Sequence, residues 1–189
     1  MADLITGFNT SIQVKHQNEK IRASQFLTFL LSNKLYAVGI LDVKEVLEPC
    51  EITEIPMSPD YIRGVINLRG NVVPVIDLAV RMGHANKDIS NRSCIVLVEI
   101  SIHEGTAQTI GMLVDQVSGI VEIEPANILP APEMGESVHT EFIQAMGRVE
   151  DSFIILLDIN KILSVEQVSQ LGELAEHGAS MLPPTDSVH

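Results

Sequence analysis

The sequence has no tryptophan, and only 4% of its residues are aromatic. Its core must therefore be aliphatic. It has just two cysteines, Cys50 and Cys94, far apart and without CxxC spacing, so they read as reduced intracellular thiols rather than staples. Cations are scarce too: 12 Lys and Arg stand against 25 Asp and Glu, a formal charge of −13. A nucleic-acid binder needs a basic surface to neutralise phosphate, and an anionic membrane attracts one as well. This composition supplies neither. No apolar run approaches the roughly 20 residues of a membrane-spanning helix. The opening MADLITGFNTSIQVKHQNEK lacks the cationic-then-apolar order of a secretion signal. A cytoplasmic protein is the expectation.

The motifs of catalysis are missing as well. The histidines (His16, His84, His103, His139, His177 and His189) are scattered and form no pair at ligand spacing. There is no HExxH, no cysteine-rich zinc spacing and no EF-hand loop. No serine sits in GxSxG, and the glycines never form GxGxxG or a P-loop. Asp77 and Asp158 are the one carboxylate pair to weigh, since glycoside-type hydrolysis needs two acids across a substrate. Each, however, precedes the last apolar residue of a strand, where an Asp more often accepts backbone N–H groups of the following turn. A small hydrolase using these two acids is the alternative from another class. The expectation is no enzyme, no cofactor and no metal.

What is present is apolar material and a pattern. Hydrophobic residues make up 46% of the 189, enough for a true core, at a length between one large domain and two small ones. The charge is uneven. Residues 25–92 hold eight acids and seven bases, whereas in 93–160 eleven acids face Arg148 alone. Such asymmetry implies faces of different electrostatic character that orient partners, with plain solubility as the competing reading.

Residues 1–24 are polar, lack periodicity and read as flexible. QFLTFLLSNKLYAVGI reads as two strands across the turn Ser32-Asn33-Lys34, with Phe26 and Leu30 on one face and Phe29 on the other. Ser58-Pro59-Asp60 has the order of an N-cap, an N1 proline and an acidic first turn, which predicts a short helix closing at Gly64. GVINLRG and NVVPVIDL follow as strands around a Gly70-Asn71 turn, and Pro74 puts the second at a sheet edge or breaks it. Residues 93–100, 109–114, 115–124 and 153–159 carry further strand pattern. Ser164 and Gln167 make a capping box for a C-terminal helix over 164–177. Its apolar stripe is Val165, Val168, Leu171, Leu174 and Ala175. Gly178 ends it, and 178–189 reads as a flexible tail.

The halves repeat. At a spacing of 74, Ala37-Val38-Gly39-Ile40-Leu41 falls on Gly111-Met112-Leu113-Val114-Asp115, Val43 on Val117, and Pro56 on Pro130. After an expansion of seven residues, Tyr61-Ile62 falls on Phe142-Ile143 and Val72 to Leu78 on Phe153 to Ile159, at a spacing of 81 that aligns Asp77 with Asp158. Short strands punctuated by Gly and Pro favour small barrels over any βαβ arrangement. The expected fold is all-β: two intertwined barrel subdomains, about 25–92 and 93–163, with short helices and a C-terminal helix. One polar group stands out of the apolar pattern. Arg69 ends a strand mid-domain, and Glu45 in VKEVLE is its candidate acceptor. A bidentate pair would lock the Gly70 loop to the segment carrying Glu45; the alternative is a solvated turn arginine.

The segments YAVGILDVKEVLEP, ITEIPMSPDYIRGVINLRGNVVPVIDL, GMLVDQVSGIVEI, ILPAPE and ILLDINKIL, in this order, resemble the CheW family of chemotaxis coupling proteins. The resemblance spans about 25–168. It implies two SH3-like β-barrel subdomains and a non-catalytic adaptor that couples the cytoplasmic tip of chemoreceptors to the regulatory domain of the histidine kinase CheA. Localisation would be cytoplasmic, with recruitment to membrane-associated receptor arrays. Glu45 and Arg69 match the family's paired glutamate and arginine, Val43 matches an apolar receptor-facing position, and Asn67, Gly64, Gly70 and Asp77 match its turn and strand framework. Val43, Val46, Met112 and Val114 are the groove residues expected to receive the receptor hairpin. Where the family commonly has an arginine after VPVIDL, this chain has Ala79, with Arg81 two residues on. A paralogous coupling protein of a parallel chemosensory pathway fits the same residues. A receiver-carrying coupling protein, or the kinase's own regulatory domain, would need further regions that this sequence lacks.

Overall fold

The computed structural model describes residues 24–103, 105–132 and 141–181. Of the flexible ends expected at residues 1–24 and 178–189, residues 1–23 and 182–189 lie outside the described residues. Eleven strands are described: β1 (Gln25–Leu31), β2 (Lys34–Gly39), β3 (Val43–Leu47), β4 (Ile62–Leu68), β5 (Asn71–Asp77), β6 (Cys94–His103), β7 (Thr106–Val114), β8 (Gln116–Glu122), β9 (Ile128–Pro130), β10 (Ile143–Val149) and β11 (Ser152–Leu157). Three helices join them: α1 (Leu78–Arg81), α2 (Ile159–Ile162) and α3 (Val165–Met181).

The strands form a six-stranded sheet in the order β8-β1-β2-β11-β10-β9 and a five-stranded sheet in the order β3-β6-β7-β5-β4. The repeat is visible in the ladders. β2 pairs in parallel with β11, setting Ala37 beside Leu156, and β5 with β7, setting Val75 beside Gly111. Both pairs are related by the spacings of 74 and 81. The chain changes sheet twice, through a 3-10 turn at Ile40–Asp42 and through Asp115. Each sheet therefore takes strands from both repeats, and the break near residue 92 divides the sequence, not the sheets.

Because side chains alternate across a strand, these apolar runs feed three cores. Leu27, Phe29, Leu31, Val38, Ile76, Val96, Val98, Met112, Val114 and Leu157 form a central core built from both sheets. Phe26, Ala37, Ile123, Ile154 and Leu156 form a second within the six-stranded sheet. Ile66, Val73, Val75, Ile95, Leu97 and Leu113 form a third within the five-stranded one. Phe26 and Phe29 thus do face opposite ways, as the spacing predicts.

Three local expectations are corrected. Residues 58–64 form no helix: Ile62 N–H donates to Pro59 O at 2.9 Å in a turn, and β4 starts at once. The cause is Gly64, which has φ 140° and interrupts the β4–β5 register. It brings Val65 into a mutual pair of 2.9 Å hydrogen bonds with Thr53. Pro74 does not mark an edge strand, since β5 lies between β4 and β7. Val65, its partner in β4, spends its backbone groups on Thr53, so the Pro74 nitrogen faces the other side. There, pairing with β7 begins only at Val75. Gly178 does not end the last helix, which runs to Met181, two residues before Pro183. An interior glycine costs a helix only about 1 kcal/mol, too little to stop one packed on a core.

Helix α3 begins as the capping box requires. Gln167 N–H donates to Ser164 Oγ at 3.2 Å, and Ser164 N–H to Gln167 Oε1 at 2.9 Å. Val168, Leu171 and Ala175 are buried beneath it.

A Cβ at Gly64 would run into the Thr53 carbonyl, while one at Gly70 would meet nothing within 4 Å despite φ 86°. Gly64→Ala should therefore cost on the order of 3 kcal/mol and Gly70→Ala only about 1 kcal/mol. Urea unfolding of the two variants checks this, and equal midpoints would contradict it.

Candidate partner-binding site

The β4–β5 hairpin sets Leu68 opposite Asn71, so its two-residue loop is Arg69-Gly70 rather than Gly70-Asn71. Both loop residues have positive φ, 53° and 86°, as a tight hairpin compatible with strand twist demands. Asn67 Oδ1 accepts the Gly70 N–H at 3.0 Å and stiffens the turn. From this tip Arg69 reaches Glu45 on β3. The contact is not the two-nitrogen fork expected from sequence: Nη2 alone donates to Glu45 Oε1 at 2.9 Å and Oε2 at 3.1 Å. The pair joins β3 and β4, the two terminal strands of the five-stranded sheet. Beside it lies a cleft of about 500 Å3 that includes Lys44, Val72, Leu97 and Thr109. The Arg69 side chain is 72% exposed and that of Glu45 37%, so solvent screens the pair and its other guanidinium donors stay open to a partner.

The apolar part of the site differs from the expectation. Met112 and Val114 are each only 1% exposed and belong to the central core. They point inward because β7 is an interior strand whose alternate residues serve two cores. They cannot line a groove. Val43 does border the central core, half-buried, and Val46 is 40% exposed. Their repeat partners at a spacing of 74 are Val117, which borders the same core, and Ile120, 58% exposed. All four sit on β3 and β8, which end their sheets and follow directly on the two crossovers. The offset that aligned Val43 with Val117 in the sequence was the signal for both missing residues.

The other positions are framework. Asp77, 5% exposed, caps α1 by accepting Val80 N–H at 3.1 Å and also accepts Arg63 Nε at 3.1 Å. Asp158 caps α2 by accepting Asn160 N–H at 3.0 Å. Their own N–H groups donate to Tyr61 O and Phe142 O, again repeat partners. Each carboxylate has a local structural role, as a helix cap that also faces a cation, Arg63 on Asp77 and Lys161 3.9 Å from Asp158, which is the framework reading rather than the hydrolase one. Among the described residues no group of three or more His, Cys, Asp or Glu could hold a metal ion. None of their helices is long and apolar enough to cross a membrane.

The CheW-like domain family matches residues 25–167. The chain belongs to this family. It is 32% identical over 152 residues to the chemotaxis protein CheW of Klebsiella aerogenes, covering 80% of this chain and 89% of that one. It is 31% identical over 154 residues to a probable CheW of Rhizobium etli, covering 82% and 95%. Among solved structures, the scaffolding protein TtCheW of Thermoanaerobacter tengcongensis superposes with a TM-score of 0.66 at 35% identity, covering 74% of this chain and 92% of that one. CheW-like domains are non-enzymatic scaffolds, in keeping with a site made of an exposed ion pair and apolar edges.

Two measurements follow from this geometry. A double-mutant cycle on Glu45 and Arg69 should give a coupling to stability below about 1 kcal/mol, because the pair is exposed; a larger value in urea unfolding would make it a fold determinant. Asp42, at the first crossover, has its carboxyl pushed above the usual range by burial and then by the Asp158 charge. A raised acid penalises the folded state once ionised, so the penalty is full above the folded value and vanishes below the unfolded one. Asp42→Asn should thus stabilise the protein near neutral pH, with the gain fading as pH falls through the carboxylate range. A pH series of thermal melts tests it, and a gain that grows in acid would refute it.

Proposed function

We propose that this protein is a CheW-type coupling protein, a non-catalytic adaptor of chemotaxis signalling that holds chemoreceptors and the kinase CheA together. The observation that carries the reading is the family match over 25–167 together with the repeat-related edge residues. Relatives named chemotaxis protein CheW, and a structural neighbour described as a scaffolding protein, support it. On this reading the receptor's cytoplasmic hairpin tip packs against Val43, Val46, Val117 and Ile120, and burial of apolar surface at about 25 cal/mol per Å2 drives the contact before ordering costs. The regulatory domain of CheA meets the ends of two SH3-like barrels. An ion pair spanning the terminal strands of the five-stranded sheet supports closure of one of them.

Arg69, with Glu45, acts as a rigid polar contact in this reading. Asn67 and Gly70 hold its hairpin tip, and Gly64 and Asp77 hold the strands beneath. Localisation is cytoplasmic, with recruitment to receptor arrays through protein contacts alone. Service in a parallel chemosensory pathway uses the same surfaces with different partners.

The test is binding of the purified protein to a receptor tip and, separately, to a CheA regulatory domain. Val46→Glu and Ile120→Glu should each weaken tip binding about tenfold or more, by removing apolar burial and adding a charge to be desolvated. Val43→Glu should act in the same direction, while thermal melts of the two exposed-site variants stay near the parent. Arg69→Ala should lower kinase stimulation in a reconstituted receptor–kinase assay with the fold intact. Unchanged tip affinity in the Val46 and Ile120 variants would overturn the groove, and failure to bind either partner would overturn the adaptor reading.

A further inference from the structure

Arg81, the last residue of α1, lies where the two repeats meet. Its guanidinium carbon is 5.4 Å from the centre of the Tyr61 ring and 4.9 Å from that of Phe142. Those two rings are partners at the spacing of 81. Its Nε donates to the backbone carbonyl of Ile162 at 2.8 Å, and Ile162 is Arg81's own counterpart at that spacing. One cation thus touches both members of one repeat pair and completes the other. A second arginine at 162 would bring two like charges to the same spot, and the sequence has an apolar residue there. The same side chain reaches beyond the repeats: Nη2 donates at 3.3 Å to Gln167 Oε1. That oxygen also accepts Ser164 N–H in the cap of α3.

We propose that Arg81 is a clasp that fastens the C-terminal helix α3 to the junction of the two repeats, so that α3 can open as a unit while both sheets stay paired. Helix α3 contributes to no sheet ladder. It is held by its cap, by this arginine and by Val168 and Leu171 in the central core, with Leu174 packed against it. Losing the clasp removes a cation held over the two repeat rings, its hydrogen bond to Ile162 at the end of α2, and its hydrogen bond to Gln167 in the first turn of α3. Opening α3 bares a strip of the central core without breaking a strand pair. The device is independent of which partner occupies the edge strands.

Native-state hydrogen exchange of the full chain in low urea tests it. Amides of α3 between Val168 and Ala175 should exchange faster than the central amides of β6 and β7, and with a weaker urea dependence. Arg81→Met should speed the α3 amides about tenfold or more and leave that weak urea dependence in place. Arg81→Lys, which keeps the cation but loses the planar fork, should fall between. If α3 exchanges in step with β6 and β7, with the same urea dependence, no separate opening exists. If α3 exchanges equally in the parent and Arg81→Met, the arginine is not what holds it. Either result overturns the proposal.

Discussion

The central core constrains everything else, because it is owned by neither sheet. Leu27, Phe29 and Val38 reach it from one sheet, Ile76, Val96 and Met112 from the other, and Val168 and Leu171 from the last helix. Each of those strands also feeds a second core from its opposite face. Strands buried on both faces need near-continuous apolar runs, and IVLV and FIILL are such runs. Neither sheet can fold with its apolar faces satisfied while the other is absent. The crossovers at Ile40–Asp42 and Asp115 make that dependence topological as well, since each sheet is completed by strands from both repeats.

The same constraint decides which apolar residues stay buried and which remain in solvent. Interior strand β7 is spent: it places Met112 and Val114 in the central core and Leu113 in the core of its own sheet. Among the described strands, the end strands β3 and β8 leave Val46 and Ile120 in solvent, and the interior β11 leaves Phe153 exposed near its start. End strands are a hazard because they invite unwanted pairing. Here a half-buried and an exposed apolar residue on each make the hazard specific. The polar contact follows the same logic. Arg69 projects from a hairpin tip, where positive φ at two successive residues leaves its side chain free of the sheet.

Much of this was legible in the sequence because the physics is local or periodic. The capping box Ser164–Gln167, the Asp77 and Asp158 caps and the repeat offsets all depend on spacing alone, and all are seen in the structure. Three of the failures share one cause. Ser58-Pro59-Asp60 is a sound helix start by local rules, but Val65, just after Gly64, is paired with Thr53, a partner that local rules cannot see. Pro74 allowed either an edge strand or a broken ladder, and only the strand order, which is not written in the strand, selects the second. Met112 and Val114 looked like groove residues because an apolar run shows that both faces are apolar without showing that both are covered. In each case the deciding contact comes from a distant part of the chain.

The uneven charge survives this mixing, and the topology explains why. Four of the six strands in one sheet, β8 to β11, come from the second repeat, whereas three of the five in the other, β3 to β5, come from the first. The acidic half of the sequence therefore still dominates one lobe. On the nearly neutral lobe, charges are largely matched across elements: Lys44 pairs with Glu99 at 2.5 Å, Arg63 with Asp77 and Arg69 with Glu45. Two lobes built on one repeat would otherwise present similar surfaces to any partner. On the proposed adaptor reading, similar backbones with different fields would hold a partner that itself carries an internal repeat in one orientation rather than two, which the repeat alone would not do.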